Sequence, residues 1–322
     1  MTALPQNTTE QNALVDLQTR FETDMKEVNA HILNNMQSDV PLIPQLANYL
    51  IASGGKRVRP LLTLSATALF KGDMKRAHRL AAAVEFIHTA TLLHDDVVDD
   101  SEKRRGQESA NVLFGNEASV LVGDFLFSRA FQLMTADGSL EVLKILSDAS
   151  AIIAEGEVKQ LSVQSNLDTT LEDYFKVIEG KTAALFAAAC EVGPVIARRS
   201  TEEIKALRDY GHHLGMVFQI TDDLLDYSPE RSRLGKAIGD DFREGKMTAP
   251  IIFAIESAND EEKEFWQRTI SDKDQHDGDF EIALDYLQKY NCLSQSLDLI
   301  KTHENSAINA LSNIQDSDLK TT

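Results

Sequence analysis

Cysteine is scarce in this chain: two in 322 residues, Cys190 and Cys292, with no metal-ligand spacing between them. That excludes a disulfide framework and a cysteine-ligated zinc site, and it fits a reducing compartment, the cytoplasm. Proline is also sparse, at seven residues, so little interrupts helix propagation. Positive charge is in deficit, with 32 Lys and Arg against 51 Asp and Glu and a formal net charge of −19. Such a field repels polyanions, which excludes nucleic acid as the main partner. No run reaches the roughly 18–20 apolar residues that a bilayer span requires. Residues 1–12 lack the basic and apolar regions of a signal peptide. Period-two alternation long enough to build a sheet is missing as well.

What is present reads as helix after helix. Hydrophobic residues make up 43% of the chain, enough for a large core, and they recur at i, i+3 and i+4 among Ala, Leu, Glu, Lys and Gln. The run Arg79–His94 is apolar on most faces and predicts a central helix covered by others. Breaks fall at Ser53-Gly54-Gly55, Lys71-Gly72-Asp73, Asp137-Gly138, Ser228-Pro229 and Asp277-Gly278. No linker separates independent parts. The expectation is a single-domain, all-α helical bundle over 1–322, with residues 1–12 disordered and the charged stretch 259–281 exposed.

Two acidic clusters carry the chemistry. In His94-Asp95-Asp96-Val97-Val98-Asp99-Asp100, a helix brings Asp95 and Asp99 together at i,i+4 and Asp96 and Asp99 at i,i+3. Crowding like charges there is unfavourable unless cations occupy the face. Oxygen ligands without a His/Cys set suit Mg²⁺, which completes its shell with water and substrate phosphates. One cluster alone reads as readily as a solvated helix end. A second cluster, Gln219-Ile-Thr-Asp222-Asp223-Leu-Leu-Asp226, repeats the D-D-x-x-D spacing after another apolar run, and solvation does not explain both. Facing each other across a cavity, the two would hold several metal ions around one diphosphate.

Basic residues supply the complementary half. Gly54-Gly55-Lys56-Arg57-Val58-Arg59-Pro60 sets a turn before concentrated cations, with Pro60 suited to a helix's first turn. It is not a nucleotide P-loop, because the glycine spacing and the following Ser/Thr are absent. Lys103-Arg104-Arg105-Gly106 follows the first acidic cluster. Gly180-Lys181-Thr182 is expected to open an alanine-rich helix, placing cation, hydroxyl and helix N-terminus together for an anion. Lys236 and Lys246 flank Gly239-Asp240-Asp241. Singly, each of these cations reads as ordinary surface charge.

Taken in order, GGKRVRP, HDDVVDD with KRRG, GKT, and QITDDLLD with GKAIGDD and GKMTAP resemble the trans-isoprenyl diphosphate synthases, most of all their bacterial long-chain, octaprenyl branch. The likeness runs from about Val28 to Pro250. It implies head-to-tail condensation on an all-α fold around a deep central cavity. By that resemblance, two to three Mg²⁺ ions sit on Asp95, Asp99 and Asp222, with Asp96, Asp223 and Asp226 supporting. Arg104, Lys181, Thr182, Gln219, Lys236 and Lys246 hold the allylic substrate, farnesyl diphosphate. Lys56, Arg59, His88 and Arg105, with Arg57 nearby, hold isopentenyl diphosphate. Met247 departs from the pattern, standing where the family often has proline.

The resemblance also says where to read product length. Short-chain members carry bulky aromatics one turn below the first acidic cluster, whereas here that level holds Ala90 and Thr91, with Ile87 deeper. Phe131, Met134 and Leu146 are the candidates for a deeper floor, and equally ordinary core residues. The expected product is a C40 chain, with C45–C50 also open, for a respiratory quinone. A homodimer is implied, as is a peripheral membrane contact for product release; the apolar run Ser119–Gly123 reads either as part of the dimer interface or as core packing. The rivals are a class I terpene cyclase, a non-catalytic partner subunit and an HD-type phosphohydrolase. The intact second D-D-x-x-D and the lack of further histidines at ligand spacing weigh against them.

Overall fold

The computed structural model describes residues 8–52, 55–104, 107–228 and 238–322. In chain order the helices are α1 (Thr8–Arg20), α2 (Glu22–Asn35), α3 (Leu42–Ala52), α4 (Val58–Leu69), α5 (Met74–Val98), α6 (Ala110–Phe114), α7 (Asn116–Asp137) and α8 (Leu140–Val163). There follow α9 (Leu171–Ile178), a π-helical turn (Glu179–Ala183), α10 (Ala184–Ile196), α11 (Thr201–Leu225), α12 (Asp240–Glu244) and α13 (Ala249–Ser257). The last are α14 (Asp260–Trp266), a second π-helical turn (Gln267–Ser271), α15 (Asp279–Lys289), α16 (Cys292–Ala310) and α17 (Asp318–Thr321). Among the described residues, the only sheet is a two-stranded antiparallel hairpin, β1 (Lys103–Arg104) with β2 (Gln107–Glu108). No described helix is long and apolar enough to cross a membrane. The all-α expectation is met.

The chain divides into two compact units. The first comprises Met1–Asp148, Ala188–Arg208 and Leu311–Thr322. Its centre is α5, which starts where Asp73 caps the amides of Lys75 (2.9 Å) and Arg76 (3.3 Å). Ala81, Ala82 and Ala83 are fully buried, so α5 is walled in by α2, α4 and above all α7. Gly123 of α7 allows this approach: a Cβ there would fall 2.2 Å from His94 Nε2. His94 packs its ring on Phe127 and reaches the Val120 carbonyl at 3.1 Å, which ties the acidic end of α5 to α7.

The second unit comprises Ala149–Ala187 and Asp209–Ala310. Capping boxes start α9 at Thr170/Asp173 and α14 at Asn259/Glu262. Most residues of the stretch 259–281 are exposed, as expected, but one face of it is not. It is α14, a π turn and the start of α15, and it buries Trp266, Thr269 and Ile270 completely. Its charges are partly internal too: Asp279 takes both arms of Arg268 (2.7 and 2.8 Å), and Glu262 accepts the Tyr290 hydroxyl at 2.6 Å. Glu262 and Asp279 are the buried acids of the stretch, while Asp260, Glu261, Glu264, Asp272, Asp274, Asp277 and Glu281 stay exposed. At the N-terminus, α1 already begins at Thr8, inside the stretch 1–12 expected to be disordered; residues 1–7 lie outside the described ones. Both cysteines are buried, and burial pushes each thiol up to about 12.

Candidate active site

The first acidic set stands on the last turn of α5. Asp95 and Asp99 are half-buried one turn apart, and the Asp99 amide closes the helix on the Asp95 carbonyl at 2.8 Å. Asp96 does something else. It is 1% exposed and accepts Arg104 Nε at 2.6 Å. Burial raises its carboxyl above the usual range, the Arg104 guanidinium opposes that, and the Asp99 charge adds to it. Arg104 comes from the hairpin that follows Asp100, whose φ of 48° turns the chain back. Asp96 therefore fixes the hairpin, while Asp95 and Asp99 form the half-exposed pair. Arg105 lies outside the described residues.

The basic segment is held by the same helix. Lys56 is exposed, and Arg57, at φ 48°, precedes α4 and pairs its guanidinium with Glu85. Arg59 Nη1 lies 3.1 Å from His88 Nε2. Pro60 falls in the first turn of α4, as expected. Glu85 was not among the sequence candidates, although a lone carboxylate inside an alanine-rich apolar run is the kind of buried charge that needs a partner. The Arg57–Glu85 and Asp96–Arg104 pairs line one cavity together with Phe86 and Leu92.

In the second unit, Gly180, Lys181 and Thr182 do not open a helix. They form the π turn that runs from α9 into α10, so the expected helix N-terminus is absent there. The reason is close backbone contact: a Cβ on Gly180 would sit 2.7 Å from Gly156 Cα, and one on Gly156 2.8 Å from Gly180 Cα. π turns of this kind recur at functional positions. Lys181 Nζ lies 3.3 Å from Glu157. The Thr182 hydroxyl donates to Gln219 Oε1 at 2.7 Å, and Gln219 Nε2 donates to Asp223 Oδ1 at 2.8 Å.

The second acidic set divides as the first does. Asp222 is exposed, whereas Asp223 is 6% and Asp226 0% exposed. Asp223 also accepts the Tyr174 hydroxyl at 2.7 Å; burial pushes its carboxyl up to about 6 against the pull of these two donors. Asp226 accepts the Asp241 amide at 2.8 Å, and its carbonyl accepts the Gly239 amide at 2.9 Å. Lys246 follows, with Nζ 3.8 Å from Asp241 and paired to Glu244. Gln164, Ser165 and Gln275 clamp this loop through the carbonyls of Glu244 (2.8 Å), Gly245 (3.0 Å) and Phe242 (3.0 Å). Met247, the departure from the family pattern, is buried. Lys236 lies outside the described residues.

Of the length candidates, Ile87, Ala90, Met134 and Leu146 are buried and Thr91 is half-buried, its hydroxyl turned back to the His88 carbonyl at 2.8 Å. Phe131 is 44% exposed on α7. Among the described residues, no three His, Cys, Asp or Glu side chains form a metal cage by themselves. Carboxylates in pairs or singly, all oxygen, are the donors Mg²⁺ uses when water and phosphate complete its shell.

The chain matches the model of the family described as polyprenyl synthetase over residues 40–287. It is 51% identical over 248 residues to the octaprenyl diphosphate synthase of Escherichia coli K12, covering 77% of this chain and 76% of that one. The crystal structure of a decaprenyl diphosphate synthase from Rhodobacter capsulatus superposes with a TM-score of 0.92 at 48% identity, covering 96% of this chain and 95% of that one. A polyprenyl synthase from Caulobacter crescentus CB15, solved with calcium and isoprenyl diphosphate, gives a TM-score of 0.91 at 48% identity, over 95% and 94% of the two chains.

Proposed function

Since the chain belongs to the polyprenyl synthetase family, we propose that it extends farnesyl diphosphate with isopentenyl diphosphate to an all-trans product of about C40, within a range to C50, for a quinone side chain. The chain is a long-chain trans-prenyltransferase; the primer, the exact length and the residue roles are the proposal. In it the enzyme works in the cytoplasm and as a homodimer. The product leaves through a peripheral membrane contact.

Asp95, Asp99 and Asp222 would hold two to three Mg²⁺ ions, which supply Lewis-acid stabilisation to the departing diphosphate. That a polyprenyl synthase from Caulobacter crescentus was solved with calcium and isoprenyl diphosphate supports a divalent ion and a diphosphate as the ligands. Lys181, Thr182, Gln219, Arg104, Lys236 and Lys246 grip the allylic diphosphate and offset the charge that grows on its bridging oxygen. Lys56, Arg59, His88 and Arg105 orient isopentenyl diphosphate, with Arg57 held beside them by Glu85, so that the double bond meets the allylic carbon. The C–O bond breaks, the new C–C bond forms, and the proton leaves to the diphosphate, so no side-chain base is required.

The observation that carries the long product is the small pair below Asp95: buried Ala90 and back-bonded Thr91 put no bulk on that turn. Incubation with farnesyl and isopentenyl diphosphates and Mg²⁺, read by mass spectrometry, should give a product near C40, and Thr91→Tyr should cut it to a short chain. An unchanged length in Thr91→Tyr would exclude a tail passing that residue, and a cyclic hydrocarbon would mark a cyclase instead.

A further inference from the structure

A residue outside the expected site sits at the end of its hydrogen-bond chain. Tyr174 is on α9 and 3% exposed, and its hydroxyl donates to Asp223 Oδ2 at 2.7 Å. Asp223 spends its other oxygen on Gln219 Nε2 (2.8 Å), and Gln219 Oε1 receives Thr182 Oγ1 (2.7 Å). The chain Tyr174–Asp223–Gln219–Thr182 links α9, α11 and the π turn inside one unit.

We propose that Tyr174 is a positioning residue for the allylic diphosphate, acting through Asp223 to lock the side-chain amide of Gln219. A glutamine amide is nearly symmetric in shape, and its two orientations present opposite charge to an anion. An ionised carboxylate only accepts, so Asp223 forces the –NH₂ end toward itself; a flipped amide would set oxygen against oxygen. Thr182 can donate or accept and would tolerate either state, so the choice rests on Asp223. With one N–H on Asp223, the second N–H of Gln219 is fixed in the amide plane as a donor, the group a diphosphate oxygen requires. Asp223 is itself steered by Tyr174: the phenol occupies Oδ2 and fixes which oxygen faces Gln219. Burial holds the Tyr174 hydroxyl protonated, well above its ordinary range, and the neighbouring Asp223 charge adds to this, so it remains a donor. The tyrosine touches no substrate in this scheme.

The inference rests on the reading that Gln219 holds the allylic diphosphate, and the test separates the two. Gln219→Leu alone should raise the KM for farnesyl diphosphate about tenfold, the scale of a charge-assisted hydrogen bond; no rise removes the site reading. Tyr174→Phe keeps the ring and should raise the same KM to a similar degree, leaving the KM for isopentenyl diphosphate within about twofold. In Tyr174→Phe/Gln219→Leu the two effects should not multiply, because both act through one amide. Multiplied effects, a parallel rise in both KM values, or an unchanged KM in Tyr174→Phe beside a raised one in Gln219→Leu would each overturn the positioning role. If Tyr174→Phe does not fold, Asp223→Asn serves: it keeps an acceptor for Tyr174, turns an N–H toward Gln219, and should give the same non-multiplying rise.

Discussion

Six aspartates share one spacing pattern and divide into two occupations. Asp95, Asp99 and Asp222 keep contact with solvent, while Asp96, Asp223 and Asp226 are buried acceptors for an arginine, a phenol with an amide, and a backbone N–H. Their substitution should therefore fail in different ways. Asp95→Ala should lower kcat by about a thousandfold or more, the scale of losing an electrostatic stabiliser of the transition state, with an unchanged urea midpoint. Asp226→Ala strands the Asp241 amide and should cost about 1–3 kcal/mol of stability, measured by urea unfolding, with a smaller effect on Mg²⁺ dependence. An active Asp95→Ala enzyme would overturn the metal assignment. Spacing marked all six residues, because i,i+3 and i,i+4 positions converge on any helix. It did not divide them, because burial depends on what packs from elsewhere: Tyr174 lies 49 residues from Asp223. Glu85 and Tyr174 were missed for the same reason, each being one polar residue in an ordinary helical pattern.

At the scale of elements, helices were legible wherever apolar periodicity met a cap: Asp73 before α5, Gly138 after α7, Gly278 before α15. The π turn was not. Gly180-Lys181-Thr182 looks locally like a helix start, and only the distant Gly156, pressed on Gly180, makes it a widened turn inside a longer helix. Gly180→Ala puts a Cβ 2.7 Å from Gly156 Cα, backbone that cannot yield. It should destabilise by at least about 1–3 kcal/mol, the cost of overpacking, and lower activity by displacing Lys181 and Thr182. Wild-type melting and turnover in Gly180→Ala would show that the contact is slack. A second element contact is pH-sensitive. His213 of α11 and His303 of α16 meet Nδ1 to Nδ1 at 3.0 Å, with His212 edge-on to His213 and Phe175 edge-on to His303. Burial first, then the charges of His213 and His212, bring His303 down to about 4, and burial with His212 lowers His213 against the pull of Asp209. A depressed histidine favours the neutral folded form. Its stability contribution is therefore full above the unfolded value near 6.5 and is lost as pH falls from there toward 4. His303 is only half-buried, so solvent screening reduces the effect to on the order of 1 kcal/mol. Urea unfolding at pH 7.5 and pH 5 should show wild type losing more stability than His303→Gln; equal losses would remove the pair from the account.

At the scale of the whole molecule, a chain of net charge −19 must bind anionic substrates and, in the proposed dimer, a copy of itself. Both tasks demand local exceptions to the global field: clustered Lys and Arg for the first, an uncharged face for the second. The run Ser119–Gly123 supplies part of such a face, though not as a block. Ser119, Val122 and Gly123 are buried against their own unit, while Val120 (39%) and Leu121 (67%) turn outward. Phe131 further along α7 and Val112 and Leu113 on α6 are exposed in the same unit. In the proposed dimer these apolar side chains would make the contact, and two like-charged copies meet there only if apolar burial outweighs their repulsion. Two consequences differ in sign from those of a charge-paired interface. Added salt should strengthen the dimer, because it screens repulsion between copies. Leu121→Glu should dissociate it, because each copy would bring an unpaired carboxylate into the apolar contact. Light scattering on a sizing column across salt concentrations, for wild type and Leu121→Glu, reads both; a Leu121→Glu dimer that survives at low salt would move the interface away from α7.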